Sequence, residues 1–193
     1  MTMFTELLPL ILAEEGVSAS NPTGYADIPG DPGGETKWGI SQRAWNLTNK
    51  ARPEYAGYPA LVKDFTRQHA ERIYYHEYWL ATECDMYPKT LAYLLFDCAV
   101  NQGVGTSKQI FQRALGVKDD GQIGTKTKAA FQARLAAGLI KQLLEDMLWA
   151  RLDEYRDDTA RSVKANAVSA FPGFLYKLWI PRLQHVRANL STL

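Results

Sequence analysis

The chain has 193 residues, enough for one substantial domain or two small ones. It is 46% hydrophobic and 22% charged, which excludes a disordered or low-complexity chain and fits an ordinary globular protein. Basic and acidic residues nearly cancel, 22 against 21, so charge gives no case for binding nucleic acid or adhering strongly to anionic membranes.

Phe4, Leu7, Leu8, Ile11 and Leu12 follow the period of an amphipathic helix, in which Pro9 is either a bend or a first-turn residue. At about 100° per residue, Glu15 falls near the centre of this apolar stripe and Glu14 about 90° to its side. Gly16 reads as the helix stop. The run lacks a basic leader and a small-residue cleavage site, and it is too short to span a bilayer; neither an export signal nor membrane insertion is expected.

Residues 18–36 have loop composition, tightest at Pro29-Gly30-Asp31-Pro32-Gly33-Gly34. A short β-hairpin around Thr36–Ile40 is an option, and Ser41 can cap a helix from Gln42. Residues 52–60 read as another loop. Helical pattern returns over about 61–81 and carries the aromatic run Tyr74, Tyr75, Tyr78 and Trp79. Residues 90–101 are apolar nearly all round, which predicts a central buried helix with Thr90 as its cap, interrupted on one face by Asp97 and Asn101. Further helices are expected at Thr106–Leu115 and from a cap at Thr125 to about Ala137. A long stripe runs from Ile140 to Tyr155, and a last helix covers about Phe174–Asn189 with a kink at Pro181. The fold class is therefore mainly α.

A carboxylic acid held against apolar surface has its charged form disfavoured and can act as an acid near neutral pH, which suits Glu15. Asp31 as a second carboxylate and Thr36 as a water- or hydroxyl-positioning group would complete a small site for glycosidic bond cleavage. Each has a plainer reading: Glu15 as an exposed helix end, Asp31 as a turn residue before Pro32, Thr36 as the start of a strand. Asp97 and Asn101 could line a cleft or satisfy each other and nearby backbone in the core. Trp38, Tyr75, Tyr78 and Trp79 could stack on sugar rings, although aromatics at helical spacing are more often core. Arg151, on an apolar stripe, is expected to snorkel or pair with a carboxylate. Cys98 reads as a buried small hydrophobe. The dispersed His69, His76 and His185 and the two cysteines predict no metal site.

Taken together, these segments resemble glycoside hydrolase family 108, a lysozyme-like family of phage endolysins and bacterial muramidases. Asp31, Gly33, Gly34, Thr36, Gly39 and Ile40 match its Asp-x-Gly-Gly-x-Thr-x-x-Gly-Ile motif. Glu15-Gly16-Val17 matches the preceding Glu-Gly-Gly except at valine, and residues 18–26 read as a small insertion. An alternative register puts Glu14 at the motif glutamate; the stripe and the adjacent Gly16 favour Glu15. Leu95–Gly103 resembles the family's Phe-Asp-x-x-Val-Asn-x-Gly helix. Residues from Gly116 onward, closing at Phe174–Arg182 with Leu178 in place of a glycine, resemble the peptidoglycan-binding region that accompanies it.

The resemblance implies a lysozyme-like helical fold: one integrated domain over 1–193, with a motif lobe at 1–90, a helical lobe at 91–193 and a cleft between the two. It implies hydrolysis of the β-1,4 bond between N-acetylmuramic acid and N-acetylglucosamine of peptidoglycan, with no metal and no organic cofactor. Glu15 would protonate the leaving oxygen. Asp31 would stabilise developing positive charge or help activate water, and Thr36 would orient that water or the second carboxylate. Trp38, Tyr78 and Asn101 are candidate substrate contacts. The expected partner is the peptidoglycan glycan strand rather than nucleic acid. The chain is expected as a monomer, since no coiled-coil heptads are present, held in the host cytoplasm until released to the periplasm and wall. Two competitors remain: a bacterial muramidase associated with secretion, and a non-catalytic wall-binding protein on the same scaffold, which the valine at 17 favours.

Overall fold

In the computed structural model, residues 2–29, 31, 33–48, 52–164 and 179–193 are described, with side chains at 159 and 161–164 left aside. They are mainly helical, and the chain divides into two compact units, Met1–Leu80 and Ala81–Leu193.

The first unit opens with α1, Met3–Glu14, started by a capping box in which Thr2 and Thr5 exchange side-chain to backbone bonds. Phe4, Leu7, Leu8, Ile11 and Leu12 are all buried, as their period predicts, and Pro9 lies exposed inside the helix. The helix ends in a Schellman motif. Val17 N–H donates to Leu12 O at 3.0 Å and Gly16 N–H to Ala13 O at 3.2 Å, with Gly16 left-handed at φ +87°. Two two-residue strands follow, β1 (Thr36–Lys37) and β2 (Ile40–Ser41), paired antiparallel as Thr36 with Ser41 and Lys37 with Ile40. An isolated bridge joins Ala26 to Thr36. Helix α2, Gln42–Leu47, is capped by Ser41, whose hydroxyl accepts from Ala44 N–H.

The loop over 52–66 is more structured than its composition predicts. Tight turns at Pro53–Tyr55 and Val62–Asp64 bury Tyr55 and Val62. Trp45, Tyr58 and Phe65 gather around them, and Trp45 Nε1 donates to Pro59 O. The helix expected from 61 starts only at Arg67, because Thr66 caps it; α3 runs Arg67–Ile73. Its continuation, Tyr74–Trp79, is π-helical, with Leu80 N–H reaching back five residues to Tyr75 O.

The second unit is built from long helices. Helix α4, Lys89–Gln102, is buried from Leu91 to Ala99, as its composition predicts. It begins two residues earlier than a cap at Thr90 would allow, since Pro88 stands at the cap with φ −55° and contributes no N–H that would need a partner. Gly103, at φ +90°, ends α4 and starts α5 at once (Val104–Leu115). Helix α6 covers Thr125–Ala136, with Thr125 as its first residue and Gly124 at the cap. Helix α7 covers Ile140–Lys164 and packs on α5, α4 and α6. Helix α8 is Ile180–Leu190, with Pro181 in its first turn; the expected start at Phe174 lies outside the described residues. No helix among the described residues is long and apolar enough to cross a membrane.

Candidate active site

Glu15 is the C-cap of α1. The stripe Leu7, Leu8, Ile11 and Leu12 anchors the helix in the core, and the Schellman turn fixes the direction in which Glu15 leaves it. Its side chain is half-buried and lies against the hairpin turn. A Cβ built on Gly39 would fall 2.7 Å from Glu15 Cβ and 3.0 Å from its Cγ. Only a glycine fits there, and its φ of +75° also favours one.

The same turn holds Trp38 in a left-handed conformation, φ +55°, which is uncommon outside glycine. Both of its backbone groups are clamped. Trp38 N–H donates to Thr23 O at 2.7 Å, and Trp38 O accepts from the Tyr74 hydroxyl at 3.1 Å. That hydroxyl is also the atom a Cβ on Gly39 would strike, at 2.3 Å. Trp38 Nε1 is buried without a hydrogen-bond partner.

Tyr78 lies four residues after Tyr74 on the π-helical turn, with the two rings 5.7 Å apart. Burial pushes the Tyr78 phenol above its ordinary value, and the carboxylates of Glu15 and Glu77 push it further. Tyr78 is therefore a protonated donor within the electrostatic reach of Glu15. Trp79 is core, and Tyr75 packs edge-on against Phe4.

Asp31 sits elsewhere on the hairpin. It is exposed, its Oδ1 accepts from Gly33 N–H at 2.7 Å, and its carbonyl accepts from Gly34 N–H. The pairing continues from Lys37–Ile40 through Glu35 O with Gln42 N–H to Gly33 O with Arg43 N–H. Asp31 is thus at the open end of the hairpin and Gly39 at the closed end. Thr36 is between them, its N–H and carbonyl both bonded to Ala26.

Residues 17–23 leave the chain path and return to it. Gly24 is buried, left-handed, and so close that a Cβ on it would lie 3.4 Å from Glu15 O and 3.5 Å from the Gly16 carbonyl carbon. Asn21 closes the excursion by bonding both backbone groups of Tyr25.

In the second unit, Asp97 is fully buried between Arg151 (2.7 Å) and Arg182 (2.9 Å), and Arg151 pairs as expected. Asn101 Oδ1 accepts from the Tyr155 hydroxyl. Both polar residues of α4 are therefore partnered inside their own unit. Cys84 and Cys98 are buried thiols, and burial pushes Cys84 up to about 12, which removes it as a nucleophile.

Sequence reasoning singled out Glu15, Trp38 and Tyr78, which the structure brings together. It missed Tyr74 and the contact of Gly39 with Glu15. The four-residue spacing of Tyr74 and Tyr78 was the available signal.

Comparison with known proteins bears on this arrangement. Residues 8–103 match the model described as glycosyl hydrolase 108. The chain belongs to the glycosyl hydrolase 108 family. Residues 106–180 match the model described as Predicted Peptidoglycan domain, so the two matches meet at the α4–α5 junction. No curated protein matches the chain. Among solved structures, that of Brucella abortus SagA is similar, at 28% identity and a TM-score of 0.68, covering 98% of this chain and 94% of that one. This glycosyl hydrolase 108 protein has the mainly α, lysozyme-like fold, is a glycoside hydrolase, and acts on peptidoglycan.

Proposed function

We propose that the protein is an N-acetylmuramidase that cleaves the β-1,4 bond between N-acetylmuramic acid and N-acetylglucosamine, and that it serves phage lysis as an endolysin. The observation that carries this reading is Glu15 at the rigid end of a buried helix, pressed on Gly39 with Tyr78 nearby. Glu15 donates its proton to the glycosidic oxygen as the bond breaks, leaving positive charge on the muramic acid ring. Trp38, on the turn that Glu15 touches, and Tyr78, within electrostatic reach of Glu15, contact the sugar beside it.

Asp31 provides the second carboxylate, and Thr36 orients water between the two ends of the hairpin. Asp31 stands eight residues before Gly39, at the opposite end of the hairpin from the turn that Glu15 touches. Carboxylates about 5 Å apart suit a covalent route, and a wider gap leaves room for water. The hairpin therefore favours Asp31 acting through water, with inversion at the anomeric carbon, which NMR of the first-formed product anomer tests. The enzyme works as a monomer, is made in the host cytoplasm, and reaches the wall after release. A holin gene beside its own supports the lysis role, and a secretion operon there supports a bacterial one.

The deciding experiment compares wild type with Glu15→Gln on permeabilised Gram-negative cells and identifies the fragments by mass spectrometry. Loss of a general acid predicts a fall of about 10²–10⁴-fold in clearing, with reducing muramic acid ends released by wild type alone. Equal clearing by the two proteins would remove Glu15 from the chemistry.

A further inference from the structure

Trp149 is 65% exposed, the largest side chain so placed among the described residues. It stands over an open trough of about 430 Å³ in the second unit. On α7, Asp146, Trp149, Ala150 and Asp153 follow at i, i+3, i+4 and i+7, so they share one helix face. That face meets the C-terminal ends of α5 and α6. Ala114, Gly116 and Ala150 give the trough small residues, and a Cβ on Gly116 would meet nothing within 4 Å.

The polar groups around it are fixed in place. Arg134 pairs with Asp146 at 3.4 Å and donates to Ala114 O. Asp146 also accepts from Gln142. Arg113 is held by Glu154 at 2.5 Å and by Asp119 at 3.5 Å. In the trough itself, two arginines stand against two aspartates, Asp146 and Asp153, which leaves its lining without net charge.

An exposed indole face beside planar, preoriented donors and acceptors matches the chemistry of a pyranose. The C–H face of the sugar covers the ring, while its hydroxyls bond to guanidinium and carboxylate groups. A neutral lining disfavours a polyanion, and a single aromatic in polar surroundings is a poor protein-docking patch. We propose that this trough is a second glycan-holding subsite, which grips a sugar of the peptidoglycan strand on Trp149. The proposal rests on the peptidoglycan reading, and every lining residue lies within the stretch that matches the peptidoglycan domain. Such a grip would hold the enzyme to an insoluble wall between cleavage events.

The test uses the Glu15→Gln protein, so that the probe survives, and glycan strands freed of their stem peptides by an amidase. Binding is measured by titration calorimetry and by co-sedimentation with intact sacculi. Trp149→Ala in that background is expected to weaken both by up to about tenfold, the loss of one aromatic contact. Trp149→Phe keeps the ring and is expected to retain most of the affinity. Alanine is a better helix former than tryptophan, so an unchanged thermal melt is expected and checks the fold. Equal affinity of Trp149→Ala and its parent overturns the subsite alone, as does a change confined to self-association in sedimentation velocity. Failure of the Glu15→Gln parent to bind strands or sacculi overturns the peptidoglycan reading and the subsite with it.

Discussion

The two units solve opposite problems. In Met1–Leu80, regular structure is scarce near the site: two strands of two residues each, tight turns, and a π-helical turn. Position is fixed there by backbone detail, namely the Schellman turn before Glu15, a left-handed Trp38 clamped at both ends, and glycines where a Cβ cannot fit. In Ala81–Leu193, long helices fix position, and their core holds a charge cluster instead: one aspartate between two arginines, contributed by α4, α7 and α8. The first unit is therefore sensitive to added atoms, and the second to removed charge.

The largest stability effect is expected in the second unit. Burial alone would raise the Asp97 carboxyl, but Arg151 and Arg182 outweigh it and hold the group below its ordinary value. Asp97→Asn leaves two buried guanidiniums facing each other, a loss of about 3–5 kcal/mol by urea unfolding at pH 7. The sign with pH follows from the depressed pKa. The stabilisation is complete above the unfolded carboxylate value of about 4 and drains away as pH falls through the lower folded value. Wild type and Asp97→Asn should converge in stability as the solution is acidified. A constant gap down to low pH would mean that the cluster is not what Asp97 contributes.

The contrast also governs what could be read in advance. The helices of the second unit were legible, because long apolar runs such as 90–101 have a period that loops lack. The pairing of Arg151 followed from a charge on an apolar stripe, yet its partner Asp97 could equally have faced a cleft, since sequence does not say which helices meet. In the first unit, Glu15 and its helix stop were legible from the stripe and Gly16. The fit of Gly39 against Glu15 and Tyr74 was not, because those contacts join residues 24 and 35 positions apart. The return of Gly24 to Gly16 was hidden for the same reason.

A smaller effect on stability, with a clear effect on activity, is expected from Gly39→Ala. The new methyl group meets Tyr74 Oη at 2.3 Å and Glu15 Cβ at 2.7 Å, with φ at +75°. Overpacking of this kind costs about 1–3 kcal/mol and pushes Glu15 aside. Clearing should fall more than the melting temperature alone explains at the assay temperature. Tyr74→Phe removes the nearest clashing atom together with its bond to Trp38 O, so the double variant should recover part of the stability but not the activity, since Glu15 is still displaced. Full recovery of clearing in the double variant would show that Tyr74, not Glu15, bears the strain.

The finest separation concerns Asp31, where a turn role and a charge role coincide. Its Oδ1 accepts from Gly33 N–H, a bond that an asparagine oxygen can also accept. Asp31→Asn therefore keeps the turn and removes only the charge, whereas Asp31→Ala removes both. If the carboxylate assists the sugar or its water, Asp31→Asn clears cells at least about tenfold more slowly than wild type with an unchanged melt. Asp31→Ala would then add a loss of thermal stability to the same loss of rate. If Asp31→Asn clears like wild type while Asp31→Ala does not, the residue is a turn-former alone. The glycosidic chemistry would then need its second group from elsewhere on the hairpin. Thr36, bonded through its backbone at the centre of that hairpin, would be the next side chain to replace.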